Sequence, residues 1–287
     1  MGGLISSCKK TATVAPPDPI GGFNNSNEIQ AAALKAHWTF DGNANESISN
    51  TAPTTTSGTS FGPGIKGQAL VLSNGYALYP SIAALNGPNL GSITVSCWVK
   101  TDNNGSKAEN AFALTAGLNQ PTWTDGYVNM ILETSHATSY DDTLVLHPDI
   151  ATYPGGNKYF GDNINDYGNR EVDFKTVHGT NKWTHYVMRY NGTSSIIEVF
   201  ANGINVGNVN FKLRQTGNPP VGIGPLVTKG NTVPLIGGFP NSTTGFTTAT
   251  EGFESLFNGS IDELRFYTAA LTDAEISALY QLELVGR

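Results

Sequence analysis

The side chains that commonly bind transition metals are scattered along the sequence. The histidines and cysteines are His37, His136, His147, His178, His185, Cys8 and Cys97. None of them has the His-x-His, His-Glu-x-x-His or paired-cysteine spacing that is typical of a zinc site. The sequence therefore argues against zinc chemistry. His37 and His185, which stand beside Trp38 and near Trp183, are expected to be structural.

Aromatic and polar residues that could hold a sugar are concentrated in one stretch, from Thr134 to Asp173. A loop of this length in a compact domain is usually functional or disordered. Its tyrosine rings could stack on sugar rings while nearby Asn and Asp groups bond to hydroxyls, and a tryptophan upstream could join them. Alternatively, the aromatics only anchor a large loop. The predicted ligand-binding residues are Trp123, Tyr140, Asp141, Tyr153, Tyr159 and Tyr167.

Composition and charge narrow the class of protein. The 287 residues are 39% hydrophobic and only 14% charged, and glycine is abundant, which suits short strands joined by polar turns. The 16 basic and 23 acidic residues give a net charge of −7. No basic cluster exceeds the pair Lys9–Lys10, so a nucleic-acid partner is not expected.

The elements that must position these residues are mostly strands. Apolar residues alternate with polar ones from Ala36 to the strand at Ser260–Tyr267, most clearly in Ile93–Val99, which predicts a buried Cys97. Asn-Gly pairs between such runs predict hairpins. We therefore predict an all-β fold, one large antiparallel β-sandwich over residues 36–287.

A short helix is predicted after the closing strand. Thr272 and Glu275 have the spacing of a capping box, in which each side chain bonds to the other residue's backbone N–H. Leu271 and Ile276 stand where a hydrophobic staple would pack the helix onto the sandwich.

The N-terminal segment resembles that of a bacterial surface lipoprotein. Leu4-Ile5-Ser6-Ser7-Cys8 is similar to a lipoprotein cleavage box, which implies lipidation at Cys8. The following residues, 11–27, are rich in Pro, Gly, Asn and Thr and have no apolar period. Residues 1–35 are therefore predicted to be a lipidated N-terminus and flexible tether. The sequence has no run of ~18 apolar residues that could span a membrane, so membrane contact is expected only through the lipid.

Four segments in order resemble the laminin G-like branch of the concanavalin A-like jelly rolls. They are 37–45, 67–70 with 93–100, 183–187 through 199–203, and 257–267 with 270–276. The resemblance spans about 36–282. It implies a jelly roll of two antiparallel sheets, one of them concave, in a family whose members bind glycans or proteins and in some cases cleave polysaccharides.

The same resemblance implies a calcium site at the rim of the sandwich. The predicted ligands are Asp41, Asn43 and Glu46 in the loop after the first strand and Asp262 in the closing strand, with Asn45 nearby. Calcium takes six to eight oxygen ligands, which such a loop could supply. The alternative is turn chemistry, in which Asp and Asn side chains bond to nearby backbone.

An enzyme is the alternative function. Glu171-Val172-Asp173-Phe174-Lys175 partly resembles the strand motif of laminarinase-type glycoside hydrolases, whose chemistry needs two carboxyl groups about 5 Å apart. Lys175 stands near the place of the second glutamate and cannot act as the acid. An exposed polar strand is the preferred interpretation, and no catalytic residue is assigned.

The sequence thus predicts an extracellular or outer-membrane-surface module that binds a glycan or polysaccharide without catalysis. It is expected to be a monomer, with calcium as a structural cofactor. The alternatives are a polysaccharide hydrolase or lyase and a protein–protein adhesion module. Two carboxyl groups converging in a groove would favour an enzyme; aromatic and amide groups alone would favour binding.

Overall fold

A computed structural model of the protein describes residues 17–133 and 142–287. Within these ranges the strands, in chain order, are β1 Leu34–Trp38, β2 Thr55–Pro63, β3 Gln68–Leu78, β4 Asn89–Gly91, β5 Ile93–Thr101, β6 Glu109–Thr115, β7 Val128–Leu132, β8 Leu146–Thr152, β9 Tyr159–Asp162, β10 Thr184–Asn191, β11 Ile196–Ala201, β12 Ile204–Asn205, β13 Gln215–Thr216, β14 Val221–Gly222, β15 Leu226–Val227, β16 Val233–Ile236 and β17 Phe257–Tyr267. Helix α1 is Asp273–Leu284. Short 3-10 turns lie at Ser26–Glu28, Ala83–Leu85, Trp123–Asp125, Pro154–Gly156 and Ser242–Thr244.

The main strands form one antiparallel path that curls around a single core. The path runs β12-β11-β10-β5-β17-β3-β16-β6-β7-β8-β9, with β1 also on β17 and β2 on β3. Side chains from both ends of the path, such as Met188 of β10 and Met130 of β7, share the core. The Tyr186 hydroxyl of β10 donates to the Ile131 carbonyl of β7, 3.1 Å away, and so ties the two halves together across it. The predicted all-β sandwich is confirmed.

Strand alternation decides which side chains enter this core. In β5 the predicted inward set, including Cys97 and Val99, is buried in the core, and Cys97 is a free thiol. In β10 Tyr186, Met188 and Tyr190 face the core. The two strands pair in register, so the core-facing side of the pair is apolar except at Thr184, which lies opposite Val99.

Three of the Asn-Gly pairs, which were predicted as turns, have different structural roles. Asn202-Gly203, with φ of 50° and 80°, makes the tight hairpin that was predicted between β11 and β12. At Asn191-Gly192 the loop is longer, and Ser195 takes the positive φ. Asn74-Gly75, predicted as a turn, instead lies inside β3, where the register against β2 shifts. A Cβ on Gly75 would lie 2.5 Å from the Ser57 carbonyl oxygen, so this irregularity needs glycine.

Helix α1 begins as the sequence predicts. The Glu275 N–H donates to Thr272 Oγ1 at 3.2 Å, and Glu275 Oε2 accepts from the Thr272 N–H at 2.7 Å. Leu271 and Ile276 are buried together with Val187 of β10 and Phe200 of β11. The helix therefore covers the outer face of the β10–β11 half of the sandwich.

The predicted boundary at residue 36 is too late, because the chain joins the domain before β1. Ile20 and Phe23 pack against the cluster under α1, and Ile29 is buried in it. Arg287, near the end of α1, donates to the carbonyls of Asp18 and Asn24. Residues 17–35 are therefore part of the folded unit. Residues 1–16 of the tether predicted for residues 1–35, including the lipidation site Cys8, lie outside the described residues.

A buried ionic network joins this N-terminal segment, β17 and α1. Arg265 of β17 donates from Nε to Glu283 Oε1 at 2.7 Å and from Nη2 to Glu263 Oε2 at 2.5 Å. Its Nη1 also reaches Asn27 Oδ1 at 2.8 Å, and His37 Nε2 lies 3.0 Å from Glu263 Oε2. Both carboxylates and the guanidinium are buried, so each charge depends on its partner.

The two carboxyl groups of this network titrate differently. Burial alone would raise the pKa of Glu263, but the hydrogen bond with His37 and the charge of Arg265 outweigh it and lower that pKa to about 2. Burial raises the pKa of Glu283 to about 7 even though Arg265 opposes the rise. A hydrogen bond from Trp98 Nε1, 2.8 Å from Glu283 Oε2, completes the attachment of the helix to β5.

Glu283→Gln should destabilise the protein strongly, because it leaves a buried guanidinium with one carboxylate fewer. Removing one partner of a buried pair typically costs about 3–5 kcal/mol. The free energy of unfolding, measured in urea at about pH 9 where Glu283 is ionised, is expected to fall by at least about 3 kcal/mol. The control is Asp273→Asn, which breaks an exposed pair with Arg189 and should cost at most about 1 kcal/mol. A smaller loss for Glu283→Gln than for the control would contradict this role of the network.

Candidate ligand-binding groove

A groove lies on the outer face of the half formed by β7, β8 and β9. These three strands pair in order, β7 with β8 and β8 with β9. In β8, Leu146 and Ile150 point into the core, so His147 and Asp149 lie on the opposite face. The strand pairing also sets Asp149 directly across from Asp162 of β9.

Two cavities make up the groove. The larger has a volume of about 500 Å³ and the smaller about 340 Å³. The larger is lined by Trp123, Thr124, Ile131, Glu133, His147, Asp149, Phe160, Asp162 and Phe253. The smaller is lined by His147, Asp162, Asn163, Ile164, Tyr167, Phe211 and Arg214. His147 and Asp162 line both cavities and form a ridge between them.

His147 is clamped between two carboxylates. Its Nδ1 lies 2.7 Å from Glu133 Oε1, and its Nε2 lies 3.0 Å from Asp162 Oδ2. Ionised carboxylates only accept hydrogen bonds, so both ring nitrogens must donate and the imidazole carries a proton on each. Burial would lower the pKa of His147, but the hydrogen bonds to Asp162 and Glu133 outweigh it and raise that pKa to about 9. The His147 side chain of the ridge is therefore a positively charged imidazolium at neutral pH, and its two hydrogen bonds hold it in one orientation.

Asp149 is the polar floor of the larger cavity. Its Oδ1 accepts from Asn129 Nδ2 at 2.9 Å, and Asn129 Oδ1 in turn accepts from Asn110 Nδ2 at 2.9 Å. Among the described residues no group donates to Asp149 Oδ2, and Asp149 lines the cavity. Burial raises the pKa of Asp149 to about 7. This carboxyl group can therefore accept a hydrogen bond from a ligand, or donate one when it is protonated.

Aromatic rings form the wall of the larger cavity. Trp123 begins a short turn whose capping box joins Thr122 and Asp125, and its ring meets the ring of Phe253 edge-on at a centroid distance of 5.6 Å. Phe239 packs against both rings from behind. Phe160 and Phe253 are 43% and 39% exposed, so much of their apolar surface is open to a ligand. Such rings can stack on the apolar face of a sugar.

The smaller cavity has its own aromatic and charged groups. Tyr167 is 51% exposed and Phe211 is 43% exposed. Arg214 Nη2 lies 2.7 Å from Asp162 Oδ1, and Arg214 also donates to the Asp162 carbonyl. Burial would raise the pKa of Asp162, but the hydrogen bond with His147 and the charge of Arg214 outweigh it and lower that pKa. Asp162 therefore stays ionised between its two cationic partners.

The predicted ligand-binding residues divide into three groups. Trp123 and Tyr167 line the groove, one in each cavity. Tyr153 is only 3% exposed and donates from its hydroxyl to the Asp125 carbonyl, so its ring cannot stack on a ligand. Tyr159 is half-buried and packs against the core. Tyr140 and Asp141 lie outside the described residues.

The sequence did not identify His147, Asp149, Asp162, Phe160 and Phe253 as groove residues. The stretch 134–173 was predicted to be one long loop, whereas it contains β8 and β9. The missed signal is the alternation of Leu146, His147, Pro148, Asp149 and Ile150, in which a proline and two polar residues hide a strand. Phe253 could not be placed because it comes from a loop that precedes β17.

The predicted calcium ligands lie away from this groove. Asp41 Oδ1 accepts from the Gln68 N–H at 2.8 Å, and Asp262 Oδ2 accepts from the Ile65 N–H at 2.8 Å, so both approach the turn between β2 and β3. Asn43 Oδ1 accepts from the Asn45 N–H.

The hydrogen bonds of Glu46 that the structure shows do not involve Asp41 or Asp262. Its Oε1 accepts from the His37 and Ile48 N–H groups, and its Oε2 from Ser49. No cluster of three acidic, histidine or cysteine side chains suited to a metal occurs in the part of the chain that the structure describes. The hydrogen bonds of Glu46 and Asn43 fit turn chemistry, and calcium at Asp41, Asn43, Glu46 and Asp262 stays a prediction.

The segment that partly resembles a hydrolase motif is a turn. Residues 171–173 are not in a strand, contrary to the polar strand expected there. Glu171 Oε1 accepts from the Thr176 N–H at 2.8 Å, and Asp173 Oδ2 accepts from the Asn169 N–H at 2.7 Å. Both carboxylates thus stabilise a local turn, and neither lines the groove.

Comparison with known proteins gives a family and a fold. The Laminin_G_3 family model, described as the concanavalin A-like lectin/glucanases superfamily, matches residues 73–277. No curated protein matches the sequence. Within residues 17–133 and 142–287, no helix has the length and apolar character to cross a membrane.

Several solved structures have a similar fold. Domain 4 of AbnA, a GH43 extracellular arabinanase from Geobacillus stearothermophilus, in complex with arabinotriose, is 20% identical with a TM-score of 0.53; the match covers 86% of this chain and 98% of that one. The binding domain of Paraclostridial Mosquitocidal Protein 1 is 12% identical with a TM-score of 0.53, over 87% and 52%. Trypanosoma rangeli sialidase in complex with 2,3-difluoro-KDN is 12% identical with a TM-score of 0.50, over 88% and 33%. The match thus covers about half the length of the mosquitocidal-protein chain and about a third of the length of the sialidase chain.

The His147 clamp should make stability depend on pH. A histidine pKa raised in the folded state, from 6.5 to about 9, stabilises the protein fully below about pH 6.5 and no longer does so above about pH 9. The contribution is up to about 3 kcal/mol. His147→Gln should therefore lower the free energy of unfolding most near pH 6, and the gap from the native protein should shrink toward about pH 10.

Urea unfolding over this pH range measures the effect. His178→Gln is the matched control, because His178 pairs with Asp142 on an exposed surface, and its substitution should have little effect at any pH. A gap between His147→Gln and the native protein that stays constant across the range would contradict the clamp.

Proposed function

The chain belongs to the concanavalin A-like lectin/glucanases superfamily, and from this premise we propose that the groove on β7, β8 and β9 binds a glycan without cleaving it. The observation that carries the proposal is the combination of exposed rings and hydrogen-bonding carboxyl groups in one cavity. Trp123, Phe160 and Phe253 offer apolar surface, while Asp149 offers an unused acceptor on the floor between them. A sugar has an apolar ring face and hydroxyl groups that donate hydrogen bonds, so it is complementary to these two features of the cavity.

The fold neighbours support this class of ligand. The arabinanase domain was solved with arabinotriose and the sialidase with a sugar analogue. Their likeness concerns the fold, so the assignment of a glycan to this chain rests on the groove itself.

Recognition would be non-covalent. The rings of the wall exclude water from one face of a sugar, and Asp149 Oδ2 accepts from one of its hydroxyls. The Asn110–Asn129 pair holds Asp149 in place, so little side-chain entropy is lost when a ligand binds.

The setting that we propose for this module is the cell surface. The lipoprotein-like box at Cys8 supports it, with residues 9–16 as the link to the folded unit. Calcium is proposed only as a structural ion at its predicted ligands, away from the groove.

Substitutions in the groove should weaken binding without unfolding the domain. Trp123→Ala is expected to weaken the affinity for the bound glycan by about 2 kcal/mol, roughly thirtyfold, and Asp149→Asn by a similar factor. Phe61→Ala, which removes an exposed ring from β2, is the matched control and should change nothing. A glycan array identifies the ligand, and isothermal titration with and without EDTA gives the affinities.

Because the calcium residues lie outside the groove, EDTA should leave the affinity unchanged. Failure of the native protein to bind any neutral or acidic glycan on the array would refute the proposed function.

A polysaccharide hydrolase is the second candidate, favoured by the pairing of Asp149 with Asp162. Cross-strand partners have Cβ atoms about 4.5–5.5 Å apart, close to the spacing of the two carboxyl groups in a retaining glycosidase. Their pKa values shift in opposite directions, as those of an acid and a nucleophile do. Against it, Asp162 is held by His147 and Arg214, which lowers its reactivity as a nucleophile.

Reducing-end assays on the glycans that bind will separate the two functions. Under the binding proposal the native protein releases no new reducing ends, and Asp149→Asn loses affinity only. Release of reducing ends that Asp149→Asn and Asp162→Asn both abolish would replace the binding proposal with the hydrolase.

A further inference from the structure

The two cavities of the groove adjoin each other, and together they are called the channel. Both are lined by His147 and Asp162, so these two side chains form the boundary that the cavities share. The clamp holds the His147 ring from both sides, and Arg214 holds Asp162 from the other cavity. The ridge is thus rigid, and a ligand that enters one cavity meets the same two side chains as a ligand in the other.

Each cavity has its own stacking surface. Trp123, Phe160 and Phe253 stand on one side of the ridge, and Tyr167 and Phe211 stand on the other. A single terminal sugar could use only one of these surfaces. A chain of sugars that crosses the ridge could place a ring on each of them.

The charges of the channel disfavour an acidic ligand. Among the residues that the structure describes, three carboxyl groups, Glu133, Asp149 and Asp162, line it together with two cationic groups, His147 and Arg214. Both cations are already paired: His147 with two carboxylates and Arg214 with Asp162. A uronate or sulfate in the channel would therefore meet carboxylates without an available counter-charge.

From these three observations we infer that the channel binds an internal stretch of a linear, uncharged oligosaccharide, which runs through both cavities across the His147–Asp162 ridge. The inference rests on the proposed glycan binding and goes beyond it by specifying an internal stretch of a chain, a length that reaches both cavities, and the absence of charge. Affinity should rise steeply when the ligand is long enough to reach the second stacking surface.

Isothermal titration with graded oligosaccharides tests the inference. The neutral probes are the arabino-, xylo-, cello- and manno-oligosaccharides from monosaccharide to pentasaccharide, and the anionic probe is the matching oligogalacturonide series. For the neutral series that binds, affinity should rise at least about tenfold between the disaccharide and the tetrasaccharide. The oligogalacturonides should bind at least about tenfold more weakly at low salt.

Two variants locate the ligand on either side of the ridge. Trp123→Ala and Phe211→Ala should each reduce the gain in affinity on lengthening, because each removes one ring from one of the two stacking surfaces. Val221→Ala removes an exposed apolar side chain of β14 outside the channel and is the matched control. Thermal unfolding of each variant shows that the fold is kept.

The outcomes separate this inference from the proposed function. Length-independent binding that Trp123→Ala abolishes and Phe211→Ala leaves intact would overturn the two-cavity channel while glycan binding stands. Stronger binding of the oligogalacturonides would overturn the uncharged ligand. Failure of every series to bind the native protein would remove both this inference and the neutral-glycan form of the proposed function.

Discussion

The buried guanidinium of Arg265 is the interaction on which the arrangement of the chain ends depends. It binds a carboxylate of its own strand, a carboxylate of α1 and the N-terminal segment at Asn27 and Ser26. An unpaired charge at this depth would be costly, so these elements must come together for any of them to be stable. The position of the helix over β10 and β11 follows from this constraint as much as from its apolar face.

The other half of the sandwich places polar groups on the outer face of a sheet whose inner face packs on the core. Asn110, Asn129 and Asp149 come from adjacent strands and bond to one another in a row. His147 is held by two carboxylates in the same way. Such networks are stable only when nearly every member has a partner, and Asp149, whose Oδ2 accepts no bond from a described residue, also lines the larger cavity. The groove is therefore stiff, and a ligand finds its hydrogen-bonding partner already in position.

Local signals in the sequence were sufficient for part of this picture. The capping box at Thr272, the alternation around Cys97 and the Asn202-Gly203 hairpin depend on neighbours within a few residues, and the structure has them as predicted. The N-terminal segment was misjudged because its partners are over two hundred residues away. The groove was missed for a related reason: Phe253, Trp123 and His147 meet only through strand pairing, and Pro148 disguises the strand between them.

The two ends of the described chain meet at α1, and this determines which face of the domain lies away from both of them. Residues 17–29 and Arg287 lie together on the face that the helix covers, and the groove lies on the opposite face of the sandwich. Asp18 and Arg287 thus both lie on the side of the domain away from the groove. The segment where the two ends of the described chain meet therefore does not block the groove, which stays open along its length.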